Sequence, residues 1–280
     1  MATLQLDDGT SLAYDDHGAG NPGTTGLPLL LVHGHPFDRS MWRPQAEYLV
    51  SRGHRVVVPD LRGYGESTGP AVTDLAGFAR DLIALADHLG LAEFGLGGLS
   101  MGGQIVMQTV RDHPGRVRAL LLADTFPTKE TAEGKLARNA AADRVLAEGM
   151  ARYADELLPK MVSAETLRDS PDVAKHVLTM MRDAPAEGAA AALRARAERP
   201  DYREVLDQVS VPTLVVVGSE DEFTPVADAE LMHRLVAGSR LAVVRGAGHL
   251  PNLERAAEFN DVFGRFLDTP RLRPASGEER

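Results

Sequence analysis

The chain's 280 residues, 44% hydrophobic and 25% charged, suffice for one large domain with a sizeable core, or one domain carrying an insertion. A net charge of −10 with scattered Lys and Arg argues against a nucleic-acid partner, and the absence of cysteine excludes disulfides, thiolate metal sites and a cysteine nucleophile. The N-terminus lacks the basic and apolar blocks of a signal peptide and no apolar run approaches membrane-spanning length, so a cytoplasmic protein with no membrane partner is expected.

Residues 3–15 predict a hairpin: Thr3-Leu4-Gln5-Leu6 alternates, Asp7-Asp8-Gly9 turns, and Ser11-Leu12-Ala13-Tyr14 pairs back. A glycine-rich loop over 15–27 leads to Pro28-Leu29-Leu30-Leu31-Val32, a continuous apolar run suited to a strand buried on both faces of a parallel sheet. That run ends in His33-Gly34-His35-Pro36. A helix over about 40–52 places Trp42, Ala46, Leu49 and Val50 on one face, with Gly53 as its stop. Arg55-Val56-Val57-Val58 reads as the next strand, and after the 60–69 loop a helix from about Asp74 buries Leu75, Phe78, Ala79, Leu82, Leu85 and Leu89. A strand beginning near Phe94, a helix closed by Pro114-Gly115 and a strand over 117–123 follow.

Strand alternating with helix at this spacing predicts right-handed βαβ units, hence the α/β class with a mostly parallel central sheet and helices on both faces. From about 127 to 200 the rhythm breaks into sequence rich in Ala, Glu, Arg and Met. Helices are expected there around 130–158, 171–183 and 187–198, as an inserted helical cap. The sheet resumes with Thr213-Leu214-Val215-Val216-Val217. A helix opened by Thr224-Pro225 and closed by Gly238 precedes a strand over 240–244, and a last helix from about Asn252 buries Phe259, Val262, Phe263 and Phe266. The expected division is a core of 1–126 and 201–268, a cap of 127–200 and a disordered tail of 269–280.

Gly98-Leu99-Ser100-Met101-Gly102 fits G-x-S-x-G, a sharp strand-to-helix turn that lifts a serine hydroxyl above the sheet. Its glycines leave room where a Cβ would collide with the turn, and Gly103 lets the following helix lie close to the strand. Gly65-Glu66-Ser67-Thr68-Gly69 fits the same pattern but follows a loop and runs into Pro70, so Ser67 reads as a hydroxyl tying down a turn. A serine hydroxyl is a weak nucleophile at neutral pH; it needs a base, and the base needs an orienting acid. In an open parallel sheet chemistry gathers at the carboxyl ends of the strands, where only His33, His35 and His249 of the nine histidines lie.

His249, in Arg245-Gly246-Ala247-Gly248-His249, is the expected base, and His33 is expected to be bonded within its own turn. Asp221 is the expected acid, with Asp124 as its rival and Glu220 and Glu222 as neighbours; Asp60 is expected to pair with loop N–H groups or with Arg62. The backbone N–H groups of Met101 and His35 are the candidate donors to the oxyanion of a tetrahedral intermediate. The side chains of His35, Trp42, Met150, Met161, Met180 and Met181 are candidate pocket residues, although core packing is the simpler account of Trp42 and of each methionine. No metal is expected.

The order Ser100, Asp221, His249, with His33-Gly34-His35-Pro36, the Asp60-x-Arg62-Gly63-x-Gly65-x-Ser67 loop and Gly246-x-Gly248-His249, resembles the α/β-hydrolase superfamily over nearly the whole chain. Within it, Gly98-Leu99-Ser100-Met101-Gly102-Gly103 and His249-Leu250-Pro251-Asn252-Leu253-Glu254 are similar to the carboxylesterase and 3-oxoadipate enol-lactonase branch. The resemblance implies no cofactor, a cap over an acyl pocket, and oxyanion donors at the N–H groups of His35 and Met101. Ser at position 100 disfavours the epoxide hydrolase and haloalkane dehalogenase branches, whose nucleophile is Asp, and Leu99 stands where carbon-carbon bond hydrolases usually carry Asn. The expected function is hydrolysis of a small carboxylic ester or lactone through an acyl-enzyme. The alternatives are an acyltransferase or perhydrolase, a carbon-carbon hydrolase, and a ligand-binding receptor with a slow hydrolase pocket.

Overall fold

The computed structural model describes residues 2–21, 23–269 and 272, so the tail expected at 269–280 lies almost wholly outside the described residues. Its strands are β1 (Ala2–Gln5), β2 (Ser11–His17), β3 (Leu29–Val32), β4 (Val56–Pro59), β5 (Phe94–Leu99), β6 (Val117–Ala123), β7 (Thr213–Gly218) and β8 (Arg240–Val244). They form one sheet in the order β1-β2-β4-β3-β5-β6-β7-β8. The predicted hairpin is present, with Leu4 opposite Leu12, and β2 runs antiparallel to β4. Every pairing from β4 to β8 is parallel.

Helices α1 (Arg43–Ser51), α2 (Leu75–His88) and α3 (Met101–Asp112) connect the first parallel strands. Asp74 starts α2 by accepting from the Gly77 N–H at 2.7 Å, satisfying a donor that the first helical turn leaves over. Between β6 and β7 lie α4 (Ala132–Glu148), α5 (Met150–Met161), α6 (Ala164–Asp169), α7 (Pro171–Asp183), α8 (Ala186–Ala197) and α9 (Arg203–Asp207). After β7 come α10 (Val226–Leu235), α11 (Pro251–Glu254) and α12 (Ala256–Leu267). Because alternate side chains of a strand face opposite ways, Leu30, Val32, Leu122 and Val217 join one apolar layer with α2 and α3. Leu29, Leu31, Leu121 and Val216 join the other, with Ala46, Leu49, Phe259 and Phe263 of α1 and α12.

Three element boundaries differ from the expected ones, each for a local reason. The helix over 40–52 opens as a 3-10 turn, Arg39–Trp42, capped by Asp38, and turns α-helical only at Arg43, with Pro44 in its first turn. The single helix over 130–158 is divided into α4 and α5 because Gly149 takes φ 77°, a left-handed conformation that ends one helix before the next begins. The last helix is split at Arg255 into α11 and α12, and Val50, Leu89 and Val262 are half-buried rather than buried. α6, capped by the Ser163 hydroxyl, had no counterpart in the sequence reading.

The parallel registers set Val32 beside Gly98, Leu99 beside Ala123, Ala123 beside Val216 and Gly218 beside Val244. His33, Ser100, Asp124 and the loops that begin at Ser219 and Arg245 therefore leave the sheet at one end.

Candidate active site

Ser100 sits between β5 and α3 with φ 58° and ψ −118°, a conformation costly for a residue with a Cβ. The turn is held by its surroundings. Ser100 N–H donates to Ala123 O at 2.9 Å, and the Thr125 hydroxyl donates to Ser100 O at 2.8 Å. A Cβ on Gly98 would stand 2.4 Å from the Gly102 carbonyl carbon, and one on Gly102 would stand 2.2 Å from Val32 O. Both neighbours are backbone, which cannot yield without moving β3 or α3. Gly102→Ala is therefore expected to lower unfolding free energy by about 3 kcal/mol, the upper range for overpacking, as read by urea denaturation.

Asp221, on the loop after β7, and His249, on the loop after β8, meet over the sheet end. The Asp221 Oδ1 accepts from the N–H groups of Phe223 (2.8 Å) and Thr224 (3.1 Å), while Oδ2 takes the Thr224 hydroxyl and His249 Nδ1, the latter at 2.7 Å. A carboxylate only accepts, so Nδ1 carries the ring proton and Nε2 is left as the basic nitrogen. Burial acts to raise the Asp221 carboxyl, but the His249 ring and the Thr224 and Phe223 donors outweigh it and hold the group below its ordinary value. Phe223 backs the imidazole edge-on, its ring centroid 5.1 Å away. Among the described residues the Ser100 hydroxyl has no hydrogen-bond partner.

The His249 loop is tied to the inserted helices. His249 N–H donates to Met161 O at 3.1 Å. The buried Glu254 carboxylate accepts from Ser163 N–H (2.7 Å) and the Thr166 hydroxyl (2.8 Å) with one oxygen, and from Leu250 N–H (3.2 Å) with the other. Glu254→Ala leaves these donors buried and unpaired, so a stability loss on the order of 3 kcal/mol is expected, with a parallel loss of activity as the His249 loop loosens. Urea denaturation alongside an ester assay measures both.

Asp124 is also buried beside the pair. It holds a positive φ of 44°, its Oδ1 accepts from Gly218 N–H at 2.8 Å, and its Oδ2 has no hydrogen-bond donor. Burial, then the Asp221 charge, pushes the Asp124 carboxyl well above the usual carboxylate range. Ligand atoms of Asp124, Asp221 and His249 lie within 4.8 Å of one another.

The sequence matches the family model described as the alpha/beta hydrolase fold over residues 28–256. The chain belongs to this family. This α/β hydrolase is 31% identical over 230 residues to 3-oxoadipate enol-lactonase 1 of Acinetobacter baylyi, covering 82% of this chain and 84% of that one. Its fold superposes on a thermophilic esterase from Thermogutta terrifontis, determined with malate bound, at a TM-score of 0.91 and 38% identity, covering 98% of this chain and 100% of that one. The enol-lactonase from Burkholderia xenovorans LB400 gives a TM-score of 0.86 at 28% identity, covering 95% and 99%. Among the described residues no helix is long and apolar enough to cross a membrane.

The rival residues of the α/β hydrolase have structural work. Ser67 accepts from Ala13 N–H (2.9 Å) and donates to Asp60 O (2.8 Å), closing the glycine-rich loop. His33 Nε2 accepts from Leu61 N–H (2.9 Å) and Nδ1 donates to Gly34 O (2.8 Å), so both ring nitrogens are engaged in the turn. Asp60 accepts from the N–H groups of Arg39 and Glu66, each at 2.8 Å, but its ion pair is with Arg39; Arg62 pairs with Asp81 and Asp8 instead. Trp42 is a correction to the pocket set: it is fully buried in the apolar layer, its ring centroid 6.1 Å from that of Phe259. Met150, Met161, Met180 and Met181 are all buried, and the last three share one apolar cluster with Phe37, Leu99 and Leu250 beside the site.

Gly34 abuts the elbow closely, since a Cβ there would lie 3.2 Å from Ser100 Cβ, and His35 follows it. The His35 ring bonds Tyr64 OH through Nδ1 (2.7 Å) and Tyr153 OH of α5 through Nε2 (3.2 Å). Burial, followed by the charges of Arg196 and Arg138, pushes its pKa well below the ordinary value, so the ring is neutral. Tyr64, Tyr153 and Arg196 were not found from sequence. Arg196 did leave a signal, because it lies at i+3 from Leu193 and i+4 from Ala192 on the buried face of an alanine-rich helix, where a cation needs a reason.

Proposed function

We propose that this α/β hydrolase cleaves a small carboxylic ester or lactone through an acyl-enzyme on Ser100. The observation that carries the reading is the buried Asp221–His249 Nδ1 hydrogen bond of 2.7 Å at the sheet end where the strained Ser100 turn emerges. His249 Nε2 takes the Ser100 proton as Oγ attacks the carbonyl carbon, and Asp221 stabilises the imidazolium that results. The N–H of Met101, at the first turn of α3, and that of His35 hold the oxyanion, with the helix N-terminus adding its dipole. His249 then protonates the leaving oxygen, and water activated by the same ring releases the acid. Residues 127–200 act as a cap, whose helices α5 and α7 supply Met161, Met180 and Met181 to the apolar side of the pocket.

Relatives named as enol-lactonases and esterases support ester and lactone bonds as the target. A panel of p-nitrophenyl esters, thioesters and lactones is expected to give repeated turnover with wild type. A burst of one equivalent followed by silence would instead favour a receptor.

A further inference from the structure

Asp124 is the acid at the sheet end that the proposed mechanism leaves idle, and its backbone marks it out. Among the described residues only Ser100 and Asp124 take a positive φ without being glycine, and strained conformations of this kind gather at working sites. The strand β7 holds the residue twice. Asp124 N–H donates to Val216 O at 2.9 Å, and Oδ1 accepts from Gly218 N–H at 2.8 Å, which fixes the carboxyl where the Asp221 loop begins. The residue is 1% exposed, and no N–H or O–H of the described residues reaches Oδ2.

What adjoins this carboxyl is a second acceptor. An oxygen of Asp124, an oxygen of Asp221 and a ring nitrogen of His249 lie within 4.8 Å of one another, and Asp221 is within side-chain hydrogen-bonding reach. The other titratable groups around the pair are Glu254 on α11 and Asp228 on α10. Apart from the ring of His249, then, the charges that act on Asp124 have its own sign. Two buried carboxylates this close do not both stay ionised, and two acceptors in contact are reconciled by a proton on one of them. Asp221 keeps its charge, since the N–H groups of Phe223 and Thr224, the Thr224 hydroxyl and His249 Nδ1 all favour its ionised form. The proton therefore belongs to Asp124.

We propose that Asp124 is a positioning residue for the pair of Asp221 and His249: its Oδ2–H donates to the Asp221 carboxylate, so that the two acids share one negative charge and His249 Nδ1 receives only part of it. The assignment rests on His249 as the base that activates Ser100. An O–H donor on Asp221 competes with Nδ1 for the carboxylate's charge and weakens its hold on the imidazolium, which extends ester cleavage to lower pH.

The test is the pH dependence of kcat/KM for one p-nitrophenyl ester in wild type, Asp124→Asn and Asp124→Leu. The amide keeps an oxygen for Gly218 N–H and an N–H for Asp221, so the acid limb of Asp124→Asn should stay within about 0.3 pH unit of wild type. Leucine fills similar space with no donor, and its acid limb should move up by about one pH unit, a loss of about tenfold in kcat/KM along that limb. Were Asp124 an ionised carboxylate, both substitutions would remove a negative charge beside His249 and move the limb down. That outcome overturns the proposal, as does an unmoved limb in Asp124→Leu. Infrared difference spectra at neutral pH, wild type against Asp124→Asn, need neither turnover nor a folded leucine variant. A protonated-carboxyl C=O stretch lost in Asp124→Asn is expected, and its absence from wild type overturns the proposal. The same spectra part the two readings. The stretch present with no ester turned over would refute cleavage at Ser100 and keep the shared proton; turnover at Ser100 without the stretch would do the reverse.

Discussion

Ser100→Ala is expected to lower kcat/KM toward any ester the protein turns over by about 10⁵ to 10⁶-fold, and His249→Ala by nearly as much. The double variant should be scarcely slower than either single one, because hydroxyl and imidazole act in one proton transfer and removing either removes the step. Under the proposed mechanism, what survives is substrate binding and the oxyanion contacts assigned to the N–H groups of Met101 and His35. Steady-state kinetics of the three variants with one p-nitrophenyl ester decide the matter. Costs that multiply across the two sites would mean that Ser100 and His249 do not work together.

Asp221→Asn is expected to cost about 10⁴-fold in kcat, whereas Asp124→Asn costs less than about tenfold. The difference follows from what each oxygen touches. Asp221 Oδ1 is claimed by two backbone N–H groups, so in the asparagine variant the amide oxygen stays with them and the NH₂ turns toward His249 Nδ1. That donor forces the ring proton onto Nε2, where the base is needed. Asparagine at 124 keeps an oxygen for Gly218 N–H and touches no ring nitrogen.

The same substitution reads out protonation. Because the folded Asp124 binds its proton more tightly than the unfolded chain does, the stability it contributes is lost as pH rises from the ordinary carboxylate range toward the raised native pKa. Asp124→Asn has no proton to lose, so its advantage over wild type in urea denaturation should grow with pH across that window and then level off. A difference that is flat with pH would mean that Asp124 titrates alike in both states.

The sheet and the elbow were legible because their signals are local. Val and Leu runs of four or five residues specify doubly buried strands, and Gly98 and Gly102 are demanded by backbone atoms 2.2–2.4 Å from where their Cβ atoms would stand. Choosing between Asp221 and Asp124 was harder from sequence, since both follow buried strands and both come to lie beside His249. Only the direction of the side chain separates them, Asp221 reaching Nδ1 and Asp124 turning back to Gly218. Of the two roles expected of Asp60, the pairing with loop N–H groups is present, whereas its ion pair is not with Arg62, near in sequence, but with Arg39, from the turn that follows a different strand. Trp42 was a pocket candidate beside the simpler core reading, and its ring goes to Phe259, more than two hundred residues away. Arg196 lay on the buried face of an alanine-rich helix, a signal the sequence reading passed over, and only the fold shows that among the described residues no carboxylate pairs with it.

Covalent labelling tests the nucleophile most directly. Wild type treated with a fluorophosphonate should gain one equivalent by intact mass, mapped by peptide sequencing to Ser100, with labelling slowed in His249→Ala and absent in Ser100→Ala. A wild type that stays unlabelled while it hydrolyses esters, or a label that maps to Ser67 and persists in Ser100→Ala, would contradict a nucleophile at the turn between β5 and α3.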